Sequence, residues 1–117
     1  MADTPLPPEG DSTPADATRA LADLDRTVHA PGRLLILATL YVAAELDFNY
    51  LLGHTGLTRG NLSSHVARLE QEGYVEVHKT FVDRRPLTLY RLTRQGRRAF
   101  SAYRRQLLDA LEALPDS

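Results

Sequence analysis

Apolar residues recur at helical spacing in the first half of the chain and predict two helices. Leu21, Leu24 and Val28 form one apolar stripe, which indicates a first helix over about 17–29. A second helix is predicted over about 31–44, where apolar residues cover most of the circumference. A helix of that composition is expected at the centre of a hydrophobic core.

The pattern then changes to shorter elements. Residues 45–48 are too few for a helix and are expected to add one small strand. Asn49 suits the N-cap of a brief third helix, and Gly56 can adopt the left-handed conformation of a tight turn between helices. Thr58 is then the predicted cap of a fourth helix, which occupies 58–72 and is followed by a glycine.

Alternation of apolar and polar residues predicts two strands, over 74–81 and 87–92, that form a β-hairpin. A last helix should run from Thr93 to about residue 114, just before a proline. The predicted fold is therefore mainly α with a small β-hairpin (α+β), in the order α-α-β-α-α-β-β-α.

Composition suggests one domain preceded by a tail. Residues 1–16 are rich in Pro, Asp, Thr and Gly and are expected to be a disordered acidic tail, whereas residues 17–114 should form the domain. The absence of cysteine excludes disulfides, thiol redox sensing and cysteine-based metal sites. No apolar run approaches the ~20 residues of a membrane span, and the first residues do not resemble a secretory signal. A cytoplasmic location is therefore the default expectation.

The net charge of −1 hides an uneven distribution of charge. Residues 1–28 carry six acids and two arginines, a net of −4, whereas residues 54–105 carry eleven Lys or Arg and four acids, a net of +7. A local basic patch is sufficient to attract phosphate, so the near-neutral total does not argue against a nucleic-acid partner. The alternative is an ordinary solvated face.

The predicted helix over 58–72 has one apolar and one polar side. Leu62, Val66 and Leu69 fall in one sector of the helical wheel and should face the core. The opposite side is short or polar without an acid, which suits a helix that approaches base edges in a DNA groove; the alternative is an uninformative polar surface. His65, at the edge of the buried sector, is either a partly buried structural histidine or a phosphate contact. The candidate DNA contacts here are Thr58, Arg59, Gly60, Asn61, Ser63, Ser64, His65 and Arg68.

The hairpin tip, residues 83–86, reads Asp-Arg-Arg-Pro and projects two guanidinium groups. An arginine on such a tip can enter a narrow minor groove, where the negative potential is deepest. Asp83 is expected to hold one arginine in place through a charge-assisted pair. The alternative is an ordinary solvated turn. Arg84, Arg85 and Lys79 on the adjoining strand complete the candidate DNA contacts.

Taken in order, these segments resemble a known family. The runs 57–65 and 69–75, followed by 83–85 and 92–96, are similar to the winged helix-turn-helix domain of MarR-like and ArsR-like bacterial regulators. The likeness covers about residues 20–110 and is strongest to small stand-alone winged-helix DNA-binding proteins.

The resemblance implies a transcriptional regulator that binds specific double-stranded DNA as a homodimer on a near-palindromic operator. The helix over 58–72 would lie in the major groove and the wing, residues 82–86, in the minor groove. The chain is shorter than typical MarR-like proteins with their ligand pocket, and it lacks the cysteine motif of metal-sensing ArsR-like proteins. The resemblance places groove contacts on Asn61, Ser63, Ser64 and Arg68, and a minor-groove contact on Arg84 or Arg85.

The last helix carries an apolar stripe at near-heptad spacing. We expect this stripe to pack, together with the first helix, against a second copy of the chain; the alternative is that it serves the chain's own core. The predicted dimer residues are Leu21, Leu24, Val28, Phe100, Tyr103, Leu107, Leu111 and Leu114.

Other classes of function find less support in the sequence. The four histidines lack metal-ligand spacing, and neither a Gly-rich phosphate loop nor a nucleophile elbow is present, so we expect no enzyme, metal or cofactor. A winged helix can also act as a protein-interaction adaptor, which would favour an apolar or acidic outer face on 59–68. A further alternative is a sensor gated by a small-molecule effector at the dimer seam. Its pocket would be lined by Tyr41, Tyr50, Phe100 and Tyr103.

Overall fold

The computed structural model describes residues 13–116, within which there are five helices and three strands. The helices are α1 (Pro14–Ala22), α2 (Pro31–Val42), α3 (Phe48–Thr55), α4 (Arg59–Gln71) and α5 (Arg94–Glu112). The strands are β1 (Leu46–Asp47), β2 (Val75–Val82) and β3 (Arg85–Leu92). Both the predicted order of elements and the mainly helical α+β class are confirmed. None of the helices in this part of the chain is long and apolar enough to cross a membrane.

The first helix begins earlier than predicted. Thr13 and Asp16 form a capping box, in which the Asp16 backbone N–H donates to Thr13 Oγ1 at 3.1 Å, and Pro14 occupies the first helical turn. Residues 14–16 therefore belong to α1 rather than to the predicted tail. The rest of that tail, residues 1–12, lies outside the described residues.

The first helix also ends earlier than predicted, at Ala22, because Asp25 organises a turn beyond it. Asp25 Oδ1 accepts the backbone N–H groups of Thr27 at 2.9 Å and Val28 at 3.2 Å. Its other oxygen, Oδ2, accepts the hydroxyl of Tyr74 at 2.5 Å. A side chain that satisfies backbone donors in this way favours a turn over continued helix. The turn is thereby tied to the residue that precedes β2.

We expect Tyr74→Phe to lower the free energy of unfolding at pH 7 by about 2 kcal/mol, because it removes a hydrogen bond to a carboxylate. Burial first, and then the hydrogen bond and charge of Asp25, raise the pKa of Tyr74 to about 12. Between pH 10 and 12 the folded protein therefore keeps a proton that the unfolded chain loses, so wild-type stability should fall as pH rises through this window. Urea unfolding from pH 7 to 12 should show a shallower alkaline decline for Tyr74→Phe. Exposed Tyr50→Phe is the control, and equal effects of the two changes would contradict this role of Tyr74.

Side chains also fix where the later helices begin. Asp47, rather than the predicted Asn49, caps α3 by accepting the Tyr50 backbone N–H at 2.6 Å. Thr58 caps α4 and Thr93 caps α5, both as predicted. The starts of the two helices that flank the β-hairpin are therefore set by local sequence.

The core is built around α2, which packs against α3, α4, α5 and β3. Its Ile36, Leu37 and Leu40 are fully buried, in agreement with the prediction of a central helix. α1 packs against α5, and Ala17 and Ala110 of these two helices are both buried. Small side chains at this contact allow the two helices to approach closely.

The sheet is antiparallel, with β3 in the centre and the order β1-β3-β2. β2 pairs with β3 in continuous register from Val75 to Val82. β1 pairs only with Tyr90 and Leu89 of β3. The sheet therefore has three strands near the root of the hairpin, whereas only β2 and β3 continue to the tip.

The predicted dimer residues divide into two groups. Leu24, Val28, Phe100 and Tyr103 are at most 9% exposed and lie in the core of a single chain. A domain of this size needs that part of the stripe to enclose its own central helix, so these four residues are withdrawn from the predicted dimer face. The others remain half-buried or exposed: Leu21, Leu107, Leu111 and Leu114.

Candidate nucleic-acid interface

α4 presents the two faces that the sequence predicts. Leu62, Val66 and Leu69 are 0–4% exposed and hold the helix against the core. Apart from these three and His65, every residue of α4 is exposed. A Cβ atom added at Gly60 would meet nothing within 4 Å, so the start of the helix is not covered by the chain's own elements. A large ligand can therefore approach the outer face of α4 directly.

The start of α4 combines a capped helix terminus with a positive charge. Gly56, at φ 71°, makes the left-handed turn that joins α3 to α4 as a helix-turn-helix. Thr58 Oγ1 accepts the backbone N–H of Asn61 at 3.1 Å. The guanidinium of Arg59 lies 5.8 Å from the centre of the Phe48 ring, a cation–π distance. This ring holds a cation beside a helix N-terminus, where the helix dipole also favours an anion.

His65 is the one candidate contact on α4 that turns toward the protein. Its ring is half-buried, and its Nδ1 lies 3.5 Å from Arg33 Nη1. Arg33 Nε in turn donates to the carbonyl oxygen of Thr27 at 2.6 Å. A Cβ at Gly32 would lie 2.6 Å from His65 Nε2, so the ring fits because residue 32 has no side chain. His65 packs α4 against the first turn of α2, and we withdraw it from the predicted DNA contacts.

A cleft lies between α4 and the hairpin, and candidate residues line both sides. Ser63 and Ala67 contribute from α4, and Lys79 and Thr88 contribute from strands where they are direct partners in register. Thr88 was missed by the sequence analysis. Its two-residue spacing from buried Tyr90 would have placed it on this face.

The cleft is lined by one acid, although the outer side of α4 was predicted to carry none. Glu70, exposed near the end of α4, lines the cleft beside Tyr90. Burial first, and then the charge of Glu70, raise the pKa of Tyr90 above its ordinary value. Within α4 this acid lies near the end of the helix, whereas the cation Arg59 lies at its start.

The turn at the hairpin tip contains fewer residues than the predicted 83–86. Asp83 and Arg84 alone form the turn, with φ values of 50° and 67°. Positive φ at both central residues is characteristic of a type I′ turn, whose twist matches that of the two strands. Arg85 and Pro86 instead begin β3. A left-handed conformation costs a residue other than glycine about 1 kcal/mol, so Arg84 is conformationally strained at this position.

The wing arginines form no ion pair within residues 13–116. In that part of the chain, the ion pair joins Arg91 Nε to Glu76 Oε1 at 2.6 Å, across β2 and β3. Asp83 does not hold Arg84 or Arg85 through its carboxylate, contrary to expectation; its contribution is the backbone turn. Both guanidinium groups project on exposed residues.

Of the four aromatic residues suggested for an effector pocket, Tyr41 and Phe100 contact each other, whereas Tyr50 and Tyr103 pack on other residues of the chain. Tyr41 packs on Phe100, with ring centres 5.0 Å apart. Tyr103 is buried, and its hydroxyl lies 2.7 Å from His29 Nδ1. Tyr50 is 52% exposed on α3.

Comparison with known proteins gives consistent results. Residues 33–111 match the family described as winged helix DNA-binding domain. An uncharacterized protein of Methanocaldococcus jannaschii is 41% identical over 76 residues, which cover 65% of this chain and 83% of that protein. A transcriptional regulator homologue from Pyrococcus horikoshii has a TM-score of 0.76 at 27% identity, covering 80% of this chain and 95% of its own. The overoxidized form of AbfR bound to DNA has a TM-score of 0.64 at 25% identity, covering 86% and 68%.

The matched segment contains all the elements of the candidate interface. Residues 33–111 include the helix-turn-helix, the cleft and the hairpin, and a MarR-family regulator is also among the structural neighbours. The resemblance drawn from the sequence is thus confirmed. The chain belongs to the winged helix DNA-binding domain family, and a transcriptional regulator homologue is among its structural neighbours.

Proposed function

We propose that this protein regulates transcription by binding a specific double-stranded DNA sequence as a homodimer. α4 enters the major groove, and the wing, residues 82–86, enters the adjacent minor groove. One observation carries the proposal: the exposed, slender face of α4 and a basic hairpin lie on two sides of one cleft. A DNA duplex, with its wide major groove beside a narrow minor groove, fits such a surface.

The outer face of α4 is suited to reading bases. Asn61, Ser64 and Arg68 follow one another at spacings of three and four residues, so they form a line along the helix. Asparagine pairs well with adenine, and arginine with guanine or phosphate, while serine reaches either bases or phosphates. The small residues Gly60 and Ala67 let the backbone approach the base edges. An adaptor that binds proteins would more often present an apolar or acidic face here.

The cleft is suited to the DNA strand that separates the two grooves. Lys79 and the Thr88 hydroxyl offer hydrogen-bond donors from the hairpin side. Arg59 and the N-terminus of α4 offer further donors to phosphate from the helix side. Phosphate contacts of this kind fix the register of the protein on the duplex, and the bases then specify the site.

The dimer is proposed from the apolar surface that remains on α5. Leu108 is 46% exposed and Leu111 is 49% exposed. A second copy that covers these side chains would give a dimer with two α4 helices, and such a pair reads a near-palindromic operator when its half-sites lie one turn of DNA (about 34 Å) apart. Light scattering should give a mass of about twice 13.0 kDa at micromolar concentration, and a monomer would exclude this arrangement.

Selection from a random pool of DNA duplexes tests the proposed function most directly. The full-length protein should enrich one sequence with inverted repeats whose centres are separated by about 10 base pairs. An unenriched pool would exclude sequence-specific binding.

We expect Asn61→Ala to relax the preference for one base pair in each half-site of the selected duplex. The loss of a bidentate amide contact should remove about 1–3 kcal/mol of discrimination there. Fluorescence anisotropy with the selected duplex and its single-base variants measures this. Gln106→Ala removes an exposed amide from α5 and serves as the control. If both variants keep the wild-type preference at every position, Asn61 does not read a base.

A further inference from the structure

The hairpin ends in apolar surface that folding leaves uncovered. Phe81 is 73% exposed, and its partner across the hairpin is Pro86, which is also exposed. Val82, the next residue, is 53% exposed. Contiguous exposed apolar surface, as at the paired Phe81 and Pro86, is characteristic of interaction sites.

The strand register assigns these side chains to opposite faces of the hairpin. Side chains alternate along a strand, so Val77, Lys79 and Phe81 share one face. Val77 and Lys79 line the cleft beside α4. Phe81 therefore continues the wall of the cleft toward the tip, whereas Val82 points to the other face, opposite Arg85.

The surrounding charges identify the kind of partner. Residues 79–86 contain Lys79, Arg84 and Arg85 against Asp83, a net charge of +2. An apolar side chain enclosed by cations fits a polyanion whose groove walls are apolar, as the deoxyribose rings of the minor groove are. A second protein chain with an apolar surface would have to desolvate these cations without neutralising them.

We propose that Phe81 is a DNA contact of the wing, with its ring packed on the deoxyribose walls and base edges of the minor groove. Pro86 supports the ring from the neighbouring strand, and Arg84 and Arg85 neutralise the phosphates on either side. This inference rests on the proposed function. It adds a contact that is apolar and therefore independent of counterion release.

Phe81→Ala and Val42→Ala form a matched pair that tests this assignment. Both side chains are apolar and largely exposed, but Val42 lies at the end of α2, outside the proposed DNA contacts. With a duplex selected by the wild-type protein as the probe, Phe81→Ala should raise the Kd about tenfold, and Val42→Ala less than about twofold. The slope of log Kd against log salt should equal the wild-type slope in both variants, because neither change removes a cation. Circular dichroism and thermal melts should be unchanged, since both side chains are largely in solvent.

Three results would overturn the assignment of Phe81. Equal Kd values for the two variants would show that the Phe81 ring does not touch DNA. A lower salt slope in Phe81→Ala would show that the ring acts by positioning an arginine. A reduced mass in light scattering for Phe81→Ala would assign the ring to contact with a second copy. If the wild-type protein selects no duplex, the proposed function itself fails, which is a different outcome from failure of Phe81 alone.

Discussion

Replacement of both Arg84 and Arg85 by alanine is expected to weaken binding to a selected DNA duplex by about 100-fold or more at physiological salt. Hydrogen bonds to a charged group are worth about 1.5–3 kcal/mol, and about 1.4 kcal/mol corresponds to a tenfold change in Kd. Within the described residues neither arginine has a carboxylate partner that would compete with phosphate. The turn places Arg84 at the outermost point of the hairpin, the part that the proposed binding mode inserts into the minor groove.

The dependence on salt distinguishes wing contacts from a general effect of charge. Each arginine that neutralises a phosphate contributes about 0.9 to the slope of log K against log salt, so the slope should fall in the double variant. Arg104→Ala/Arg105→Ala removes the same two charges from exposed positions on α5 and is the matched control. Anisotropy titrations from about 50 to 200 mM salt measure both quantities. Equal losses in the two double variants would mean that the wing has no special role.

Gly96→Ala is expected to destabilise the fold by about 3 kcal/mol or more. The added Cβ, which is fixed to the backbone of α5, would clash with the backbone of Tyr74. Gly96 is buried in the first turn of α5, and an added Cβ would lie 2.0 Å from the carbonyl oxygen of Tyr74. The same oxygen accepts the backbone N–H of Thr93 at 3.0 Å, and Thr93 Oγ1 donates to the carbonyl of Gly73 at 2.5 Å. To admit a methyl group, α5 would have to move away from the start of β2 and break these bonds.

The effect of Gly96→Ala can be measured by thermal unfolding, where a loss of this size lowers the midpoint by roughly 10–20 °C. Gly53→Ala is the control, because a Cβ at that helical position meets nothing within 4 Å. It should instead stabilise the protein by up to about 1 kcal/mol, since alanine favours helix over glycine. If the two variants melt within a few degrees of each other, the close approach of α5 to Tyr74 is not rigid.

Elements determined by local sequence were predicted most accurately. The spacing of Leu62, Val66 and Leu69 orients α4, and Thr58 fixes its first turn; both follow from residues within the same helix. Alternation identified the hairpin to within two residues at either strand end. The outer face of α4 and the arginines of the wing could therefore be proposed before the fold was known.

Features that depend on distant residues could not be predicted in this way. The first helix ends early because the carboxylate of Asp25 is used by a turn and by Tyr74, which is 49 residues away. An apolar stripe looks the same whether a chain's own core or a second copy covers it, so Phe100 was placed on the dimer face. The packing of His65 against Gly32 depends on how α2 and α4 cross, which the sequence does not reveal. His65 was therefore counted among the DNA contacts.

In the candidate interface, the positions of two hairpin residues relative to α4 depend on the strand register, which the sequence alone did not provide. The spacing from Tyr90 puts Thr88 on one face of β3, and its pair with Lys79 then shows that this face lines the cleft. The pair of Phe81 with Pro86 places Phe81 on the same face of the hairpin, nearer the tip. The turn itself also lacked its usual signal, because a type I′ turn is most often Asn-Gly or Asp-Gly and here has arginine in second place.

The third strand of the sheet ends where the wing leaves the body of the protein. β1 stops at the partner of Leu89, so the outer four residue pairs of the hairpin form a two-stranded ribbon, which twists more easily than a wider sheet. α4 has no such compliance, because three side chains anchor it in the core. Minor-groove width varies with base composition, and a pliable ribbon can adjust to that variation while the helix stays fixed. The protein should accordingly be strict about the bases beneath α4 and tolerant of the spacing and composition of those beneath the wing.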